Sequence, residues 1–171
     1  MKQQPSFRTR LRAFQRMHGD VPDPGFVADL EYLENRDLDL SVRMGGMLAF
    51  NALLITIGTH PVSASPGAPL SLDAAAQPAM TLASLVGVIP FVLSSAFVLR
   101  GLLIGEDFDP EGCEDDQPDM LRRRLMAAFV RSIDAQTWLL RRAVQASIAG
   151  GVLTALVWGW ILAAKMLGAQ A

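Results

Sequence analysis

Three long runs without a single Asp, Glu, Lys or Arg constrain this chain more than any other feature: Met44 to Leu72, Ala74 to Leu99, and Ala143 to Ala164. A bilayer's hydrocarbon core of about 30 Å is crossed by about 20 apolar residues in a helix. The second and third runs meet that length. The first is interrupted by Pro61 and the following SASPGAP. It is expected to end near Thr59, which gives about 24 Å of helix at 1.5 Å per residue. Arg43, at its start, can snorkel to the headgroups and make up the difference. The runs predict an all-α membrane protein with three transmembrane helices.

The basic residues set the expected orientation. Seven of the 15 Lys and Arg precede the first run (Lys2, Arg8, Arg10, Arg12, Arg16, Arg36, Arg43). None falls between His60 and Ala79. Seven lie between the second and third runs (Arg100, Arg122, Arg123, Arg124, Arg131, Arg141, Arg142), and only Lys165 follows the third. The positive-inside rule then predicts a cytoplasmic N-terminus, three spans and an outside C-terminus. The first 25 residues lack the apolar core of a cleavable signal.

In order, the chain divides into a basic amphipathic arm and linker (1–25), an inside helix (26–43), a first span (44–60) and an outside loop (61–79). A second span (80–100), an inside acidic loop with a basic helix (101–142), a third span (143–164) and an outside tail (165–171) complete it. Long cytoplasmic juxtamembrane helices are expected to run directly into the first and third spans. In the arm, Phe7, Leu11 and Phe14 share one helical face, which suits either the anionic leaflet surface or packing on the inside domain. Phe26, Leu30, Leu33, Asp37 and Leu40 form one stripe, and Leu121, Leu125, Phe129 and Ile133 another; the two are expected to pack together. The acidic stretch 105–119 holds eight of 17 carboxylates but lacks the ligand spacing of a calcium loop. Cys113 lies within it, and a lone Cys implies no structural disulfide.

Within the spans, three features stand out. Pro90 falls mid-helix in the second span, as a hinge or a packing kink, with Ser94 and Ser95 placed to help the carbonyl it frees. Asn51 is the one strongly polar residue in the first span, and it is expected to hydrogen-bond another helix or to line a polar path. Ser147, Gly151, Ala155, Gly159 and Ala163 recur every four residues in the third span. That small-residue row predicts close helix packing, within the chain or in a homo-oligomer. Trp138, Trp158 and Trp160 are placed as interfacial belt residues.

No catalytic constellation is present: no HExxH, no phosphate loop, no CxxC. His18 and His60 fall on opposite sides of the expected membrane, so neither a metal nor an enzyme activity is expected. A net charge of −2 gives no reason to expect a nucleic-acid partner. The inside face concentrates Arg36, Arg43, Arg122, Arg123, Arg124 and Arg131, with Tyr32 and Trp138 available for stacking. Arginine is suited to bidentate phosphate recognition, so these six are candidate nucleotide-binding residues. Their alternative role is topology, with salt bridges to Asp37, Asp39 and Asp134.

Three sequence features resemble a known family. The start of the first span reads RDLDLSVRMGGMLAFNALLI; the second span carries a proline and leads into a charged segment; and LLRRAVQASIAGG runs from an arginine-rich helix into the last span. From about Leu30 to Ala164 the chain resembles the transmembrane effector family of Pycsar, the cyclic-pyrimidine antiphage defence systems of bacteria. The resemblance implies a cell inner membrane effector, with no cofactor beyond its ligand. It implies a response to cyclic UMP or cyclic CMP made by a partner pyrimidine cyclase, followed by oligomerisation and loss of membrane integrity. The alternative reading of the residues is a non-sensing accessory subunit or scaffold of a membrane complex.

Overall fold

The structure, a computed structural model, describes residues 24–104 and 118–168. The basic arm, with His18, most of the acidic loop, with Cys113, and the last three residues of the tail lie outside the described residues, as does the Leu121 side chain. Three helices account for most of the rest: α1 (Pro24–Ser63), α2 (Pro78–Leu103) and α3 (Pro118–Met166). No strand occurs among the described residues. All three helices are long and apolar enough to cross a membrane. Only 17%, 33% and 17% of their most apolar windows are buried by protein, so most of that apolar surface is left for lipid.

α1 does not stop at Thr59. It continues to Ser63 with Pro61 inside its last turn. Proline's fixed φ is helical, so the cost is one lost main-chain bond rather than a break. Pro61 is fully buried, and its carbonyl accepts from Leu72 N at 2.9 Å, which ties the following loop to the helix end. Met44 to Ser63 is then about 30 Å long, a full span that requires no snorkelling by Arg43.

The chain forms two units. One comprises Met1–Arg43 and Gly101–Trp138, the other Met44–Arg100 and Leu139–Ala171. In the first, which carries most of the charge, Phe26, Leu30, Leu125 and Phe129 form a buried cluster flanked by Leu33 and Met126. The two sequence stripes therefore pack on one another. The partners rise in number together, so α1 and α3 run parallel there. A partly buried polar contact lies further along the same stripe, where Gln136 Nε2 donates to Asp37 Oδ1 at 2.8 Å.

The second unit is a three-helix bundle with α2 antiparallel to the other two. Its α1 stripe is Met44, Met47, Asn51, Leu54, Gly58 and Pro61, and its α2 stripe is Met80, Ser84, Gly87, Phe91, Ser94 and Val98. All of these are buried or half-buried. Steps of three and four alternate in both, as in left-handed coiled-coil packing. On α3 the buried positions Leu139, Ala143, Ser147 and Gly150 include two successive steps of four, a local break in that alternation. Met44, Val98 and Ala143 make one apolar layer, packed by Met47, Leu48, Phe97 and Leu140. Further along, Phe91 fills the gap left by two glycines. A Cβ on Gly150 would meet the Phe91 ring at 2.8 Å, and one on Gly58 would meet Val88 at 2.9 Å.

Candidate functional site

The six candidate arginines do not converge on one point of the charged unit. Arg122 is half-buried, with its guanidinium 5.3 Å from the centroid of the Phe26 ring. Arg43 follows Phe26 by seventeen residues of the same helix, about 26 Å along its axis. Arg43 is held by Asp39, one turn earlier: Nε donates to Oδ1 at 3.1 Å and Nη2 lies 3.0 Å from Oδ2. With the two side chains 65% and 46% exposed, that pair is worth at most about 1 kcal/mol. Arg131 turns back on its own helix, its Nε donating to the Ala127 carbonyl at 3.1 Å. Arg36, Arg123 and Arg124 are exposed, and neither Arg36 nor Arg123 has an ion pair among the described residues. The salt bridges expected at Asp37 and Asp134 are absent among the described residues. Asp37 instead takes the Gln136 amide. Tyr32 and Trp138 are both exposed on this unit.

The bundle holds a polar layer that the sequence only partly disclosed. Asn51 Nδ2 donates to Ser94 Oγ at 2.8 Å, and Ser94 Oγ donates to the Ala143 carbonyl at 2.8 Å. Ser147 Oγ donates to Asn51 Oδ1 at 2.6 Å and lies 2.9 Å from Ser94 Oγ. All three side chains are buried. Asn51 therefore does bond across helices. Ser94 does not serve the carbonyl freed by Pro90, and Ser95 bonds the Phe91 carbonyl at 3.0 Å instead. The helix runs unbroken through Pro90 from Pro78 to Leu103.

The small-residue row on α3 is split by the fold. Ser147 faces inward and belongs to the polar layer. Gly151 and Gly159 would each place a Cβ in open space, and Ala155 and Ala163 are exposed. Close approach inside the bundle falls to Gly58, Gly87 and Gly150, none of them in that row. Among the three tryptophans, Trp160 exposes its ring, whereas Trp158 buries its indole Nε1 without a partner, contrary to the orientation of a belt residue.

At the far end of the bundle the loop after α1 is folded rather than loose. Lys165 Nζ donates to the carbonyls of Ser71 at 2.7 Å and Ala68 at 3.2 Å. A cavity of about 540 Å³ lies beside this clasp, lined by Val62, Leu72, Asp73 and Gln77 among others. Lys165 had no partner legible in the sequence, because its acceptors are main-chain carbonyls about 95 residues away. No group of three or more His, Cys, Asp or Glu side chains able to hold a metal occurs among the described residues.

No family model matches the chain, and no curated protein or solved structure is significantly similar to it.

Proposed function

We propose that this chain is an inner-membrane effector of a Pycsar-like antiphage defence system, with its N-terminus cytoplasmic and its C-terminus periplasmic. In this reading a partner cyclase supplies cyclic UMP or cyclic CMP, the charged unit binds it, and the protein oligomerises and impairs membrane integrity. It acts as a ligand-responsive membrane protein rather than an enzyme. The sequence resemblance from Leu30 to Ala164 supports this, and one structural observation carries it. Arg36 and Arg123 stand exposed without an ion pair among the described residues, although Asp37 and Asp134 lie on the same two helices. Arginines present only for internal salt bridges would be paired. Binding can shift the protein's state only through a difference in affinity between two states.

The exposed row of Gly151, Ala155, Gly159 and Ala163 also suits docking against a larger membrane partner, the accessory-subunit reading. A titration separates the two. The protein in nanodiscs is expected to bind one cyclic pyrimidine nucleotide saturably and to ignore cyclic AMP and cyclic GMP. Folded protein that binds none of the four, and that copurifies with a membrane complex, is an accessory subunit.

A further inference from the structure

The charged unit contains a donor with nothing to bond. Arg122 Nε is buried and has no hydrogen-bond partner, while the carbon of the same guanidinium lies over the Phe26 ring, 5.3 Å from its centroid. A buried N–H left unmade costs about 1–3 kcal/mol, a cost that an acceptor from outside the chain would relieve. The acceptor must be compact and anionic. Guanidinium binds an oxyanion side-on through two parallel N–H groups, and Nε supplies one of them. The cation–π contact with Phe26 holds the guanidinium beside the ring before any ligand arrives. Arg122 is only half-buried, so the rest of the fork stays reachable.

The other candidate arginines lack this combination. Arg43 already holds Asp39, and Arg131 Nε already donates to Ala127. Arg123, next in the chain, is exposed and lies over no aromatic ring among the described residues. The other unmet group of the unit among the described residues, buried Gln136 Oε1, follows Arg122 by fourteen residues of α3. That is about 21 Å along the helix, further than one mononucleotide reaches.

We propose that Arg122, fixed by Phe26, is the phosphate contact of this chain, binding one phosphodiester oxyanion side-on through Nε. The proposal rests on the reading that the charged unit takes an anionic ligand. The oxyanion has two possible sources, a soluble cyclic nucleotide or an anionic lipid headgroup.

Binding is measured on full-length protein in neutral phosphatidylcholine nanodiscs, with cyclic UMP and cyclic CMP as soluble probes. Capture of phosphatidylglycerol from mixed vesicles is the lipid arm. Arg122→Lys keeps the charge but removes the fork, and is expected to weaken binding at least about tenfold. Phe26→Leu is expected to weaken it by a smaller factor. Arg100→Lys and Arg141→Lys, which make the same change at exposed arginines outside the candidate set, are expected to leave it unchanged. If Arg122→Lys binds as well as the wild type, or if all three lysine variants lose affinity equally, the proposal is overturned. Lipid capture that depends on Arg122, with no nucleotide bound, upholds the oxyanion contact and overturns the nucleotide reading. Binding of neither class overturns both.

Discussion

The polar layer of the bundle and the polar groups along the stripe of the charged unit are completed differently. In the bundle, Asn51, Ser94, Ser147 and the Ala143 carbonyl close on one another, and no oxygen of the layer lacks a partner. In the charged unit, Gln136 Nε2 reaches Asp37, but Gln136 Oε1 is buried with no donor, as Arg122 Nε is with no acceptor. Where lipid surrounds the helices there is no water to complete a network, which favours closing it within the protein, as this layer does, while Thr154 Oγ1 and Trp158 Nε1 elsewhere in the bundle are buried without a partner. Where water and solutes have access, a network can be left open for something to finish. The closed layer is accordingly a structural device, and the open Arg122 Nε is the group on which the proposed oxyanion contact rests.

Four variants sharpen or break that contrast. The largest effect is expected at Gly150→Val. Its side chain would enter the Phe91 ring, and overpacking of this kind costs about 1–3 kcal/mol. Thermal unfolding in detergent should show a clear loss, and an unchanged midpoint would mean that Phe91 can move aside. Asn51→Leu removes two interhelical bonds, with an expected cost of about 1–2 kcal/mol. The parallel Gln136→Leu change removes an unsatisfied oxygen together with one bond, and should cost less than half as much. Equal losses from the two would erase the distinction between closed and open layers. The smallest effect on stability is expected from Gly151→Leu combined with Gly159→Leu, because nothing lies within 4 Å of either position. The same pair should reduce crosslinking between protomers in membranes. Crosslinking that persists would leave the row without a role in self-association.

The helices and their partners were legible from the chain itself. Runs without charge located three spans, and the apolar positions from Phe26 to Leu40 and from Leu125 to Ile133 identified the faces that meet in the charged unit. Helix α1 runs four residues past the end expected at Thr59, because a proline in the last turn forfeits one bond and leaves the helix intact. Nothing in the sequence announced the Lys165 clasp or the unpartnered Arg122 Nε, since both depend on which atoms lie nearby after folding.

The clearest division is on α3. By itself the sequence determined that this helix carries small residues suited to close packing. The tertiary structure decided which of them are packed. At about 100° per residue, each step of four advances about 40° around the helix. The row Ser147, Gly151, Ala155, Gly159, Ala163 therefore begins in the bundle and winds out of it. A step of three followed by one of four stays in the seam, so Gly150, not Gly151, meets Phe91. Composition and spacing fix a helix and its candidate faces, but the phase of a face against its neighbours is set only when the other helices are in place.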